Sequence, residues 1–213
     1  MKHYPRASMA VVIDDHALFV DSFCALLERL ELFAVVRAEQ SRKELFQFLV
    51  QHQEAPIVVF LDYYLENANA LHLMMDIKRV HRKARIIMLS SVTAGNIVAS
   101  IMLHKPYGFV SKASGTDEVI LCVNKVLAGQ EYVCPVIREI LASVDDRSLL
   151  FTKREFELLP SFALGLTIQQ TAEKHNLSKH TVISHRRNMM AKAGAKTITE
   201  LLSYARRLNY IDF

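Results

Sequence analysis

The stretch Ile57-Val-Val-Phe-Leu-Asp62 decides the fold of the N-terminal two thirds of the chain. An uninterrupted apolar run that is rich in β-branched residues and ends at an acidic residue is typical of a strand buried on both faces. Such a strand needs helices above and below it, which is the arrangement of an open parallel α/β sheet. The stretch therefore predicts one strand of such a sheet, with Asp62 at its carboxyl end.

Similar short apolar runs recur on both sides of this stretch. They predict further strands at residues 10–14, 34–36, 85–90 and 107–111. The segments between the runs carry apolar residues at helical spacing, as at Val119, Ile120, Val123, Val126 and Leu127. Five strands that alternate with five helices predict a doubly wound parallel sheet.

Polar residues stand at the carboxyl ends of four of these strands, where open parallel sheets bind their ligands. They are Asp14 and Asp15 after the first strand, Asp62 after the third, Ser90 at the end of the fourth and Lys112 after the fifth. Clustered carboxylates repel one another unless a cation lies between them, and oxygen ligands suit Mg²⁺. One residue of this kind is an ordinary loop start, but five of fitting type indicate a phosphoryl-transfer site with a carboxylate nucleophile.

Residues 9 to 130 resemble the receiver domain of bacterial response regulators. The resemblance rests on Asp14, Asp15, Asp62, Ser90, Phe109 and Lys112. It implies a five-stranded, flavodoxin-like receiver with Asp62 as phosphoacceptor and Lys112 holding the phosphoryl oxygens. Ser90 and Phe109 would be the residues that reorient on activation. The implied Mg²⁺ ligands are Asp14, Asp15, Asp62 and the backbone carbonyl of Tyr64.

The loop after Asp62 departs from the receiver pattern. Receivers usually carry a Met-Pro-Gly type of turn there, whereas residues 62–70 contain neither Pro nor Gly. Asn67 and Asn69 tolerate left-handed backbone conformations, so a turn is compatible with the sequence. The bulky Tyr63 and Tyr64, together with Glu66 beside the site, keep an alternative open, in which a receiver-like domain acts independently of phosphorylation.

Positive charge is concentrated in the C-terminal third. Residues 150–213 contain ten Lys and Arg residues and five Asp and Glu residues, whereas the remainder contains 16 basic and 17 acidic residues. A basic module joined to a nearly neutral one indicates a DNA-binding domain, although charge alone is also compatible with a solvated basic face.

Helix start and stop signals divide this third into four helices. Capping-box spacing occurs at Thr152 with Glu155 and at Thr167 with Gln170, Ser178 caps the third helix, and Gly165 and Gly194 end the first and third helices. Pro160 predicts a kink or an early break in the first helix. Two short helices on either side of a tight turn, the second of them basic, predict a helix-turn-helix.

A helical wheel separates the faces of the predicted helix 179–193. Val182, Met189 and Ala193 form the buried stripe. The opposite arc, which would face the major groove, holds His180, Ile183, Ser184 and Arg187. There Arg187 would bind guanine through two hydrogen bonds and Ile183 would contact a thymine methyl group. Flanking residues predicted to contact phosphates are Lys179, Thr181, Arg186 and Lys192.

Residues 150 to 211 resemble the four-helix DNA-binding module of the NarL/FixJ group, also called LuxR-type. The matching stretches are Thr152–Glu155, Ala163–Leu166, Leu177–Val182, His185–Asn188 and Thr199–Leu202. In that family the third helix reads the major groove and the last helix forms the DNA-bound dimer. The two resemblances predict a receiver at 1–130, a linker with a short helix at 131–149 and a small all-α DNA-binding domain at 150–213.

The predicted protein is a two-component response regulator and transcription factor. A histidine kinase or phosphotransfer protein would phosphorylate Asp62, and a homodimer would bind promoter double-stranded DNA, with RNA polymerase as a further candidate partner. We expect no turnover of an external substrate. Because the sequence has no secretory leader and no long apolar segment, we expect a cytoplasmic protein without a membrane partner.

Activation is expected to shift the surface formed by residues 94–128 and to release the DNA-binding surface, which the unphosphorylated receiver would cover. The alternative hypothesis of an enzyme is a phosphohydrolase of the haloacid-dehalogenase type, which also uses an aspartate nucleophile at a strand end. It needs a second aspartate two residues after the first, where this chain has Tyr64, and it leaves residues 150–213 unexplained.

Overall fold

The computed structural model describes residues 8–39, 41–65, 68–143, 151–208 and 210–211. The strands are β1 (Met9–Ile13), β2 (Val35–Ala38), β3 (Ile57–Leu61), β4 (Tyr64–Leu65), β5 (Ala68–Asn69), β6 (Arg85–Ser90), β7 (Gly108–Ser111) and β8 (Tyr132–Val133). Six of them form one sheet in the order β2-β1-β3-β6-β7-β8, and every pair in it is parallel. The parallel α/β sheet predicted from the sequence is therefore confirmed.

The helices of the N-terminal region are α1 (Ala17–Arg29), α2 (Arg42–Gln51), α3 (Ala70–Val80), α4 (Gly95–Leu103) and α5 (Thr116–Leu127). All five residues of β3 are buried, as the continuous apolar run predicts. The carboxyl ends of β1 and β3 lie side by side, because Ile13 is the register partner of Leu61. This pairing places the residues that follow the two strands at the same edge of the sheet.

The sheet has one strand more than predicted, and that strand lies in the stretch predicted as a linker. β8 extends the sheet edge through a hydrogen bond from the Tyr132 amide to the Tyr107 carbonyl, 2.9 Å long. After it, α6 (Pro135–Ala142) buries Ile137 and contacts α4 and β7. A two-residue strand is too short to show a periodicity, so its pairing depends on the free edge of β7. Residues 132–142 thus pack on the receiver sheet.

The C-terminal region contains α7 (Lys153–Ala163), α8 (Ile168–Lys174), α9 (Lys179–Ala193) and α10 (Ile198–Arg207). Both predicted capping boxes are present, and Ser178 accepts the Thr181 amide hydrogen at the start of α9. Gly194 ends α9 with a left-handed φ of 63°. Val182 and Met189 are completely buried, which confirms the predicted inner stripe of α9.

Of the kink or early break predicted at Pro160, the early break is wrong, because α7 continues to Ala163, and the kink stays a prediction. Proline removes only the amide that would bond the Phe156 carbonyl. The last turn is closed instead by the Leu164 amide, which donates to the Pro160 carbonyl at 2.9 Å. One missing hydrogen bond near the end of a short helix is thus tolerated.

An aromatic cluster joins the two regions. Phe151, Phe156 and Tyr210 of the C-terminal region are at most 2% exposed, and the Phe156 and Tyr210 rings meet edge to face at 4.8 Å. The ring of His104, which follows α4, lies 6.0 Å from the Phe156 ring. The packing of the C-terminal helices therefore includes a contact with the end of α4 in the N-terminal region.

Candidate functional site

Two buried carboxylates lie at the carboxyl edge of the sheet. Asp14 follows β1 and Asp62 follows β3, and each side chain is only 2% exposed. The Asp62 amide donates to the Ile13 carbonyl at 3.0 Å, which extends the strand pairing to the site itself. Because the two strands are neighbours, the structure brings together carboxylates that are 48 positions apart in the sequence.

Lys112 neutralises part of this charge. Its ammonium nitrogen lies 2.6 Å from Asp14 Oδ2 and 2.8 Å from Asp62 Oδ2. Burial alone would lower the pKa of Lys112, but the hydrogen bonds to Asp14 and Asp62 outweigh burial and raise it. The ring of Phe19 lies 4.7 Å below the same nitrogen, which adds a cation–π contact. Lys112 is therefore a fixed cation that bridges the two carboxylates.

The remaining negative charge fits a divalent cation. Ligand atoms of Asp14, Asp15, His16 and Asp62 all lie within 4.8 Å of one another. Three carboxylates and one ammonium leave two negative charges, and carboxylate oxygens are the donors that Mg²⁺ prefers. The donor set predicted from the sequence thus fits Mg²⁺, while the carbonyl of Tyr64 stays a predicted ligand.

His16 is a neighbour of the site that the sequence analysis missed. Its Nδ1 lies 2.9 Å from Asp15 Oδ1 and 3.1 Å from Asp14 Oδ1, although the side chain is 68% exposed. Imidazole suits transition metals better than Mg²⁺, so the carboxylates remain the expected ligands. Its position directly after the two aspartates was the only signal in the sequence.

The carboxylate of Asp62 is held at both oxygens. The Tyr63 amide donates to Oδ1 at 2.7 Å, and Lys112 holds Oδ2. A carboxylate held in this way has a fixed orientation before any reaction partner arrives, which lowers the entropic cost of an in-line attack. The arrangement therefore suits a nucleophile toward a phosphoryl group.

Ser90 and Phe109 lie on the neighbouring strands β6 and β7. Both are fully buried, and the hydroxyl of Ser90 has no hydrogen-bond partner among the described residues. A buried hydroxyl without a partner costs free energy that a new acceptor would return. A phosphoryl oxygen at the sheet edge is such an acceptor, so the state of Ser90 fits the predicted role of a switch residue.

The loop after Asp62 forms a short hairpin, in which Tyr64 of β4 pairs with Asn69 of β5. Asn69 is therefore a strand residue here, and Asn67 lies outside the described residues. Tyr63 is buried, whereas Tyr64 is 39% exposed. Burial, followed by the charge of Asp62, raises the pKa of Tyr64. The Tyr63 ring is thus buried, and the Tyr64 ring lies at the surface.

The predicted DNA-reading face of α9 is largely open to solvent. Ile183 is 46% exposed. His180 and Arg187 are exposed as well, while Ser184 and Arg186 are half-buried. Among the flanking residues Lys179 is exposed, and the Thr181 hydroxyl pairs with Ser178 in the cap, 2.8 Å away.

Lys192, for which a phosphate contact is predicted, forms an ion pair within the C-terminal region. Its ammonium lies 2.6 Å from Glu155 Oε2, and Glu155 is only 3% exposed. The same carboxylate oxygen accepts the Thr152 amide hydrogen at 2.7 Å in the capping box of α7. The ion pair therefore fastens α9 to the start of α7. The helical wheel missed it because it describes one helix at a time.

The family of the chain follows from these features together with a match over its N-terminal half. Residues 10–124 match the family model of the response regulator receiver domain. The chain belongs to this family. Residues 149–205 of this response regulator match the model of bacterial regulatory proteins of the luxR family. A receiver followed by a LuxR-type DNA-binding domain is the architecture of a transcription factor.

Relatives of this response regulator are similar to it in sequence along almost their whole length. The transcriptional regulatory protein MctR of Rhizobium johnstonii is 26% identical over 200 residues, which are 92% of this chain and 91% of the relative. The oxygen regulatory protein NreC of Staphylococcus carnosus is 26% identical over 216 residues, 95% of this chain and 99% of the relative.

A solved structure has the same fold. The structure of RcsB from Salmonella enterica serovar Typhimurium, bound to promoter rprA, has a TM-score of 0.61 and is 23% identical, covering 92% of this chain and 96% of that one. Within the described ranges of this response regulator, no helix is long and apolar enough to cross a membrane.

Proposed function

We propose that Asp62 accepts a phosphoryl group from a histidine kinase or a phosphotransfer protein, and that phosphorylation controls DNA binding. The observation that carries this proposal is the Asp62 carboxylate, which is 2% exposed and held between the Tyr63 amide and the ammonium of Lys112. A carboxylate with a fixed orientation next to a cation is what phosphoryl transfer requires of a protein nucleophile.

Mg²⁺ would be held by Asp14, Asp15 and Asp62 with the Tyr64 carbonyl. When bound, it would neutralise charge on the phosphoryl oxygens. Lys112 would shift its ammonium from the carboxylates to these oxygens, and the unpartnered hydroxyl of Ser90 would turn toward them. Phe109 is buried on the strand next to Ser90, so it would repack with that movement. The protein turns over no external substrate in this scheme.

DNA binding would use the exposed face of α9. His180, Ile183, Ser184 and Arg187 would read base edges, while Lys179, Thr181, Arg186 and Lys192 would contact phosphates. MctR is named a transcriptional regulatory protein, and the RcsB structure contains promoter DNA. By analogy the present protein binds promoter double-stranded DNA as a homodimer in the cytoplasm, with RNA polymerase as a candidate partner.

The domain ranges proposed for this function are 1–130 for the receiver, 131–149 for the connection and 150–213 for the DNA-binding domain. Within the connection, the first residues pack on the receiver through β8 and α6. Most of the connection is therefore fixed to the receiver.

The experiment that tests this function is intact-mass measurement after incubation with Mg²⁺ and acetyl phosphate. Wild type should gain one labile phosphoryl group, and Asp62→Ala should gain none. Asp76→Ala is the matched control, because Asp76 lies on α3 outside the acidic cluster and forms ion pairs with Arg42 and Arg79. It should be phosphorylated like wild type. If wild type gains nothing, even with candidate kinases, control by phosphorylation is excluded in favour of a phosphorylation-independent regulator.

A further inference from the structure

Tyr63 connects the phosphoacceptor with the last helix of the DNA-binding domain. Its amide donates to Asp62 Oδ1 at 2.7 Å, and its hydroxyl donates to the carbonyl of Leu208, directly after α10, at 3.2 Å. The side chain is only 3% exposed, so the ring is enclosed between the two domains. One residue thus touches both the candidate site and the end of the chain's last helix.

A polar face of α4 continues this contact. Asn96, Ser100 and His104 are spaced by four residues, so they lie on one side of the helix. The Asn96 amide group donates to the Tyr210 hydroxyl at 3.5 Å, and the Ser100 hydroxyl donates to the Asn96 carbonyl at 2.7 Å within α4. His104 packs on Phe156 at the end of the same face. The receiver therefore contacts the residues after α10 by hydrogen bonds from Tyr63 and Asn96.

Three of the four residues predicted to read DNA on α9 lie outside this interface. His180, Ile183 and Arg187 are exposed while the domains are in contact. The expectation that the receiver covers the DNA-binding surface is thus not met by these residues. What the receiver holds is the far end of α10, together with the aromatic cluster. The contact restrains the position of the whole DNA-binding domain and leaves its base-reading side chains accessible.

We propose that Tyr63 is a positioning residue that couples the charge state of Asp62 to the docking of α10 on the receiver. The inference rests on the proposed function, in which Asp62 becomes phosphorylated. A dimer on paired half-sites needs two reading helices at a fixed spacing along the DNA. A DNA-binding domain that is fixed to its own receiver cannot freely adopt that spacing. Loss of the Tyr63–Leu208 contact would free it.

Phosphorylation of Asp62 directly changes the group that accepts the hydrogen bond of the Tyr63 backbone amide. Transfer from acetyl phosphate forms a P–O bond to a carboxylate oxygen of Asp62, breaks the P–O bond to the acetyl group and releases acetate. The carboxylate then becomes an acyl phosphate, so the acceptor of the Tyr63 amide changes in charge and geometry. The outer hydrogen bond is 3.2 Å long, beyond the usual O–H···O range. A small movement of the rigid ring is sufficient to break it.

Thermodynamic linkage makes the coupling reciprocal. If phosphorylation weakens the docking of α10, then removing the Tyr63 hydroxyl must favour the phosphorylated form. A single neutral hydrogen bond changes a two-state equilibrium by about fivefold. That factor is the expected size of every effect in the experiment below.

The test is hydrogen–deuterium exchange of the full chain, followed by mass spectrometry of peptides that cover residues 95–104 and 198–208. Tyr63→Phe removes the hydroxyl and keeps the buried ring. Tyr132→Phe is the matched control, because the Tyr132 hydroxyl donates to Glu118 of α5 and neither residue belongs to the C-terminal helices. Both proteins are compared with wild type, before and after treatment with Mg²⁺ and acetyl phosphate.

Unphosphorylated Tyr63→Phe should show about fivefold faster exchange in both peptides, and Tyr132→Phe should match wild type. Phosphorylated wild type should reach the level of Tyr63→Phe, which itself should change little on phosphorylation. The yield of phosphoprotein at limiting acetyl phosphate should also rise in Tyr63→Phe, a readout that a purely structural hydroxyl would not move.

Two results would overturn the proposal. One is exchange in Tyr63→Phe equal to that of wild type, and the other is an equal increase in both Phe variants, which would indicate general loosening of the receiver. If wild type takes up no phosphoryl group, the proposed function fails. The unphosphorylated proteins still decide in that case whether Tyr63 holds α10, so the two failures are distinguishable.

Discussion

The charged groups of the acidic site are buried and paired, whereas those of the DNA-reading surface of α9 are exposed to solvent. At the sheet edge, Asp14 and Asp62 are 2% exposed and share one ammonium, so each charge has a fixed partner. On α9, Lys179 and Arg187 are exposed. The first arrangement is prepared for a small, doubly charged group, and the second is open to a large polyanion. The two sites thus differ in burial, which is high at the acidic site and low on the DNA-reading face of α9.

Replacing Lys112 is expected to have the largest effect on this contrast. Lys112→Met removes the cation between the two buried carboxylates, so we expect phosphorylation by acetyl phosphate to slow by about 100-fold or more. The measurement is the time course of phosphoprotein mass. Lys125→Met, at an exposed lysine of α5, should phosphorylate at the wild-type rate. Equal rates in both variants would show that the ammonium has no part in transfer.

Replacing Arg187 is the corresponding change at the reading surface. Arg187→Ala should lower affinity for the specific promoter by roughly 10- to 100-fold, because a bidentate contact with guanine is worth about 1–3 kcal/mol. Lys179→Ala should instead weaken specific and scrambled duplexes alike and reduce the salt slope by about one. Titrations at several salt concentrations distinguish the two. An Arg187→Ala effect that is equal on scrambled DNA would contradict base reading.

Lys192 tests the comparison further, because this basic residue of α9 is paired with a buried carboxylate, as Lys112 is at the sheet edge. Lys192→Met leaves Glu155, 3% exposed, without its ammonium, and we expect the free energy of unfolding to fall by about 2 kcal/mol. That figure allows for the partial exposure of the lysine. Urea unfolding measures it, and Glu155→Gln in the same chain should restore part of the loss. If Lys192→Met weakens DNA binding without lowering stability, Lys192 contacts phosphates and its ion pair does not stabilise the domain.

The pH dependence of stability should reflect His72. Burial lowers its pKa from 6.5 to about 4, and Asp76 only partly opposes this. Between these values the unfolded chain binds more protons, so stability is full above pH 6.5 and falls toward pH 4. We expect a loss of about 2 kcal/mol between pH 6.5 and pH 5. Urea unfolding across this range should show a smaller slope in His72→Gln, and an unchanged slope would assign the dependence to other groups.

Most of the fold could be predicted because local signals agree with it. The run before Asp62, the capping boxes of α7 and α8 and the left-handed Gly194 all act within a few residues, so the sequence alone indicates them. Two features were missed for the opposite reason. β8 depends on the free edge of β7, and the continuity of α7 through Pro160 depends on how the following turn closes.

The residues of the site could be predicted from the sequence, but the ion pairs between their side chains could not. Parallel strands place Asp14, Asp62 and Lys112 at one edge, and the sequence supplies that rule through its strand ends. It does not indicate that the Lys112 ammonium bridges both carboxylates, or that Lys192 turns toward Glu155. Such pairs join residues far apart in the chain, and no periodicity describes them.

The sequence by itself determined the order of the two domains, the residue types at the sheet edge and the basic helix that faces outward. These follow from hydrophobic spacing, capping and charge, which are local properties. Only the tertiary structure decided that Tyr63 spans from Asp62 to Leu208 while the reading face of α9 stays exposed. The contact between domains depends on how two separately folded surfaces fit, and that fit is a property of the assembled chain.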